Sequence, residues 1–190
     1  MLIDIGTGSG LSIAHSARLN PAQFFIGVDA NPRPLEKISE RIHRRPEKGG
    51  LPNVLFVQAA VEHLPSELDG IACQVHVQFP WGSLLRAVAT GEPLPMRNLR
   101  RISKSGAALE VVLGLDPVRD RSEIERLNLQ ALSADYIKSV LAPRYKEAGF
   151  EIVDQAALAH AGRGQMNSAW AKRLSFGGNR ELFRIRARAL

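Results

Sequence analysis

Leu2–Ile5, which reads as a short buried strand, is followed at once by Gly6-Thr7-Gly8-Ser9-Gly10 and then by the helical pattern Leu11–Leu19, stopped by Asn20-Pro21. Strand, glycine loop and helix in that order constrain the fold more than any other feature of the chain. The glycines let the backbone turn tightly and approach a ligand closely, and the unit opens doubly wound α/β sheets. The rest of the pattern agrees. Phe24–Asp29, Val54–Ala59, Ile71–Phe79 and Ala107–Leu113 read as strands. Pro34–Arg44, Ser83–Ala89, Pro95–Ile102 and Asp135–Ala148 read as helices, the last with Pro143 as a candidate break. Phe150–Gln155 and Leu182–Ala189 read as a closing antiparallel pair. The link between them, roughly 25 residues, is too long for a plain turn, and long links are often functional. The expectation is one α/β domain over residues 1–190. Its sheet is Rossmann-like, seven-stranded and mainly parallel, with an antiparallel last strand.

With 190 residues, 45% of them hydrophobic, the chain can bury a sizeable core. No apolar run reaches membrane-spanning length, and the N-terminus lacks the pattern of a signal peptide, so a cytoplasmic protein is expected. The single cysteine, Cys73, excludes an internal disulfide and is expected to be buried in a strand. His15, His43, His63, His76 and His160 show no ligand spacing, and no metal is expected. The net charge is +6, and from residue 161 onward seven basic residues face only Glu181, so the excess is concentrated at the C-terminal end. Two further basic groups are Arg41, Arg44, Arg45 and Lys48, and Arg97, Arg100, Arg101 and Lys104. Clustered arginines suit a phosphate-rich partner, and equally suit solvated helix faces.

Asp29 ends the second strand 19 residues after Gly10, where a carboxylate can accept hydrogen bonds from both hydroxyls of a ribose. The dinucleotide fingerprint G-x-G-x-x-G is not met, because Leu11 and Ile13 stand where it needs glycine. The compact form G-x-G-x-G favours S-adenosylmethionine over a nicotinamide cofactor. Ala60, after the third strand, is small enough for an adenine ring to lie beside it. Glu62 either accepts a hydrogen bond from that ring or belongs to the N-terminus of a surface helix.

The fourth strand runs into Phe79-Pro80-Trp81-Gly82-Ser83, and the second tryptophan lies in Asn167-Ser168-Ala169-Trp170-Ala171-Lys172-Arg173-Leu174. Strand ends form the ligand crevice of a doubly wound sheet, which puts Pro80 and Trp81 near the transferred group. One tryptophan alone fits a core position. Two, one at the crevice and one in a basic link, suit two plates around a flat, unstacked ring such as a nucleobase. This combination points to an enzyme that modifies a base in RNA. Phe79 stands where enzymes methylating exocyclic amines carry a polar acceptor, whereas a ring nitrogen with a free lone pair needs none.

These stretches resemble the aminoglycoside-resistance 16S rRNA (adenine-N1)-methyltransferases of the KamB/NpmA type. The resemblance rests on IDIGTGSG, FIGVD, KGGLPNVLFVQAAVEHLP, HVQFPWGSLLRAV and NSAWAKRLSFG followed by RELFRI. It implies a class I methyltransferase fold and S-adenosylmethionine as cofactor. It implies a decoding-site adenine of 16S rRNA in the assembled small (30S) subunit as target; a monomer is expected, although the sequence leaves the oligomeric state open. It places cofactor contacts at Asp4, Gly6, Thr7, Gly8, Asp29, Ala60, Glu62, Ser83 and Ser168. It puts the flipped adenine between Trp81 and Trp170 beside Pro80, and RNA contacts at Arg41, Arg44, Arg45, Lys172, Arg173 and Arg180. The chain departs from the family pattern at Ser9, Ala30, Gly178 and Leu127–Gln130, and the segment that precedes the first strand in the family is expected to be missing. A tRNA guanine-N7 methyltransferase-like enzyme is the nearest rival, although the Phe79–Gly82 run lacks that group's acidic residue. A catalytically impaired ribosome-binding protein is the rival of another class.

Overall fold

The structure, a computed structural model, describes residues 1–158 and 181–190. Strands β1 (Leu2–Ile5), β2 (Phe25–Asp29), β3 (Val54–Gln58), β4 (Ala72–Gln78), β5 (Ser103–Leu115), β6 (Phe150–Leu158) and β7 (Glu181–Ala189) form one seven-stranded sheet in the order β3-β2-β1-β4-β5-β7-β6. The first five pair in parallel, and β7 runs antiparallel between β5 and β6. This is the class I methyltransferase topology expected from the sequence.

Alternation along the strands builds two cores. Leu2, Phe25 and Val54 face α1 (Leu11–Leu19) and α2 (Glu36–Ile42), meeting Ile13, Ala17, Ile38 and Ile42. Ile3, Val75, Val77, Leu109, Val111 and Leu113 form the larger core. Helices α3 (Gly82–Thr90) and α4 (Pro93–Ile102) add Leu85, Val88, Met96 and Leu99 to it. The fully buried Tyr145 hydroxyl donates to the Val88 carbonyl at 2.9 Å, so its polar end is satisfied inside the apolar layer.

Three local features depart from the sequence pattern. A short helix, α5 (Arg121–Arg126), lies in the β5–β6 connection, where a six-residue, mostly charged run offers no apolar period to read. Pro143 does not break its helix. The chain passes from α6 (Ala134–Tyr136) through a π turn (Ile137–Leu141) into α7 (Ala142–Glu147), and the wider turn accommodates the missing proline N–H. Cys73 is exposed rather than buried, beside a register irregularity at the start of β4. Among the described residues, no helix is long and apolar enough to cross a membrane, and no group of three or more His, Cys, Asp or Glu side chains could hold a metal ion.

On the face of the sheet that carries α1, the register aligns Asp4 with His76, His76 with Glu110, Glu110 with Arg186, and Arg186 with Asp154. Ion pairs join this polar layer: Arg186–Glu110 at 2.9 Å, Arg184–Asp154 at 3.0 Å and Arg188–Glu151 at 3.2 Å. Burial pushes the Asp4 carboxyl up from 3.8 to about 6, and the nearby Asp29 charge adds to the effect. Burial likewise holds the His76 imidazole below its ordinary value. Because the folded state binds the Asp4 proton more tightly than the unfolded chain, the stability from this group is complete below pH 3.8 and is lost as pH rises through about 6. A gap of that size is on the order of 3 kcal/mol. Asp4→Asn removes the penalty. Its melting temperature should match the wild type near pH 4 and exceed it progressively up to pH 8, as measured by calorimetric scans across that range.

Candidate active site

A cavity of about 250 Å³ opens at the carboxyl ends of β1, β2, β3 and β4, lined by Gly6, Gly8, Asp29, Ala60, Glu62, Ser83 and the Phe79–Trp81 run. The glycine loop is held to β2 from below. Gly6 and Thr7 donate to the Val28 carbonyl at 2.8 and 3.0 Å. Gly8 N–H donates to Asp29 Oδ2 at 2.7 Å, and Asn31 N–H to Oδ1 at 2.9 Å. Glycine is required at the foot of the loop. Gly10 has φ +66, and a Cβ there would lie 2.5 Å from the Phe56 ring. Gly27 meets the same ring, with a Cβ at 2.7 Å. Phe56 therefore fits only because both neighbours lack side chains.

Sequence-predicted cofactor residues are thus largely brought together. Among the described residues Asp4 and Thr7 are the exceptions: neither lines this cavity, and Asp4 lines a separate cleft of about 280 Å³ behind the loop. Glu62 sits on a 3-10 turn (Val61–His63), not at the start of an α-helix, and faces the cavity. Asn98 of α4 fixes that turn by donating from Nδ2 to the Val61 and Glu62 carbonyls at 3.0 and 2.9 Å. Nothing in the local sequence marked Asn98, because its partners lie 37 and 36 residues away.

The opposite wall is the turn after β4. Phe79 adopts φ +51, its N–H donating to the Val112 carbonyl at 2.8 Å, and Gly82 has φ +62. Between them Pro80 is buried and Trp81 is 50% exposed at the cavity mouth. Trp81 is therefore not a core aromatic. Gly82 N–H donates to Glu123 of α5, a residue the sequence pattern did not single out. Ser168, Trp170, Lys172, Arg173 and Arg180 lie outside the described residues, so the second plate and the basic link are not placed.

The structure sorts the basic residues by partner. Arg184, Arg186 and Arg188 are spent on the ion pairs across β5, β6 and β7. Arg100 donates to the Ser103 and Leu190 carbonyls, and Arg101 to Asp69 and the Leu64 carbonyl. Those groups serve the fold. Arg41, Arg44 and Arg45 are exposed, with no side-chain partner among the described residues. Only Arg41 is helical. α2 ends at Ile42, so Arg44 and Arg45 stand on the compact turn that follows, not on the helix expected from the sequence. That turn is closed by Gly50 N–H to the Arg45 carbonyl at 3.1 Å.

The chain matches, over residues 1–189, the family described as NpmA, 16S rRNA (adenine(1408)-N(1))-methyltransferase. It is 39% identical over 187 residues to a 16S rRNA (adenine(1408)-N(1))-methyltransferase of Escherichia coli, covering 96% of this chain and 84% of the relative. Its structure resembles that of the aminoglycoside resistance methyltransferase NpmB1, with 43% identity, a TM-score of 0.82, and coverage of 100% of this chain and 86% of the other. It also resembles a tryptophan-to-alanine variant of the 16S rRNA (adenine(1408)-N(1))-methyltransferase from Catenulisporales acidiphilia with cosubstrate SAM. There the identity is 33%, the TM-score 0.90, and the coverage 100% and 85%. Sequence and fold agree over nearly the whole chain, which belongs to the NpmA family of 16S rRNA (adenine(1408)-N(1))-methyltransferases.

Proposed function

We propose that this protein methylates N1 of a decoding-site adenine of 16S rRNA in the small ribosomal subunit, using S-adenosylmethionine, and so confers aminoglycoside resistance. The observation that carries the reading is the cavity that joins the glycine loop, Asp29 and Glu62 on one side to the Pro80-Trp81 turn on the other. The residues fit the cofactor. Gly6 and Gly8 leave the loop face open, the fixed Asp29 carboxylate suits a ribose, and Ala60 with Glu62 suits an adenine ring. When bound, the cofactor supplies an electrophilic methyl group.

The chain's own contribution is positional. N1 of adenine carries a free lone pair and no proton to lose, so no general base is required. Trp81 presents an exposed indole face beside the cavity, against which a flipped base can stack. The same face stabilises the positive charge that develops as N1 is alkylated. Trp170 supplies the second plate, and Ser168 a further cofactor contact. Arg41, Arg44 and Arg45, with Lys172, Arg173 and Arg180, meet rRNA phosphates. The deciding experiment incubates the protein with S-adenosylmethionine and isolated small subunits, then scans 16S rRNA by primer extension. N1-methyladenine blocks base pairing, so reverse transcription should stop at the decoding site. Methyl transfer to tRNA but not to small subunits would overturn the assignment.

Two predictions follow from the pocket and the basic turn. Asp29→Ala should weaken S-adenosylmethionine binding by roughly 1.5–3 kcal/mol, through loss of charge-assisted hydrogen bonds, while Asp29→Asn retains part of the affinity. Isothermal calorimetry on the folded variants measures both. Arg44→Glu combined with Arg45→Glu should weaken small-subunit binding and flatten its dependence on salt concentration. Cofactor affinity in that variant should stay unchanged, and subunit binding that is unaffected across a salt titration would assign the turn to solvent.

A further inference from the structure

The turn that carries Trp81 is held from a distant part of the chain. It contains a non-glycine residue at positive φ, Phe79 at +51, and Gly82 at +62. Such conformations persist where the surroundings over-determine them. Trp81 is half exposed, so packing alone does not fix it. The fixed point is Glu123, 41 residues on, whose side chain is only 9% exposed. Its Oε1 accepts the Gly82 N–H at 3.2 Å and Arg126 Nη2 at 2.7 Å, and its Oε2 accepts Arg126 Nε at 2.8 Å. Arg126 thus grips the carboxylate with two parallel bonds while one oxygen also holds the residue after Trp81. This pairing keeps the Glu123 carboxyl below its ordinary range, so it is charged throughout the neutral range.

We infer that Glu123, oriented by the Arg126 fork, is a positioning residue that fixes the Trp81 indole at the cavity mouth. The inference rests on the reading of Trp81 as the plate for the target base. Glu123 does not line the cofactor cavity, and Arg126 reaches only the adjoining open cleft, which also touches Glu62 and Ser83. Their effect therefore passes through the turn and falls on methyl transfer, not on cofactor binding. Glu123 touches no reacting atom in this scheme. It sets the direction of a residue that does.

A double-mutant cycle tests this. Glu123→Ala should slow methyl transfer to small subunits by roughly tenfold or more, the scale of a lost hydrogen bond to a charged group. Glu123→Gln, which keeps a carbonyl oxygen for Gly82, should retain more activity, and both variants should bind S-adenosylmethionine as the wild type does. In a Trp81→Ala background, Glu123→Ala should cause no further loss, because the residue it positions is gone. A readout independent of activity uses Trp170→Phe, which leaves Trp81 as the only indole of the two in the chain. There, Glu123→Ala should change acrylamide quenching and emission of Trp81. Equal fractional losses in both backgrounds, a parallel fall in cofactor affinity, or unchanged indole emission would each overturn the inference. If the alanine variant does not fold, Glu123→Gln and Arg126→Met carry the same comparisons. The fluorescence arm decides the clamp even if the wild-type protein leaves small subunits unmodified.

Discussion

The carboxylate of Asp29 is the point on which the rest of the cavity hangs. One oxygen takes the N–H of Gly8 and the other that of Asn31, so a single side chain fixes the glycine loop and the turn leaving β2. The loop is fastened a second time through the Val28 carbonyl and pressed from beneath by Phe56, which fills the space left by Gly10 and Gly27. Its shape therefore exists before any ligand arrives, and binding need not order it. Across the cavity the corresponding support is the buried Glu123 carboxylate, gripped by the exposed Arg126. Both walls thus use a carboxylate to hold backbone N–H groups, the one facing the cavity and the other set behind it.

Much of the architecture was legible in the sequence, because the signals were local. Leu2–Ile5 and Leu11–Leu19 have the predicted bounds, since a strand running straight into a glycine loop and a Pro-terminated helix declare their own ends. The loop, Asp29, Ala60, Glu62, Ser83 and Trp81 share one cavity because each follows a strand of a parallel sheet, where strand ends converge. Asn98 and Glu123 were not legible. Their partners are backbone groups tens of residues away, and a polar residue on a short helix shows no pattern that distinguishes a tether from a solvated face. Asp4 was legible as a residue of the loop region, but its side chain lies behind the loop, since successive strand residues point to opposite faces.

The basic residues divide along similar lines. Composition gives their number, and only three-dimensional placement shows which are already engaged. The ladder of β7 arginines is a product of strand alternation: Arg184, Arg186 and Arg188 share one face and meet Asp154, Glu110 and Glu151 from the two neighbouring strands. Arg41, on the last turn of α2, and Arg44 and Arg45, on the turn that follows, instead have no acidic neighbour bonded to them among the described residues.

The β7 ladder makes the isoelectric point of about 10.0 a poor guide to how this protein meets a polyanion. Its three guanidiniums carry built-in counter-anions at fixed positions, so docking a nucleic acid over that face would displace protein carboxylates instead of mobile ions and would gain little ion-release entropy. Retention on a cation exchanger, and non-specific capture by bulk RNA, should accordingly owe more to cations outside the ladder, Arg41, Arg44 and Arg45 among them, than to the β7 arginines.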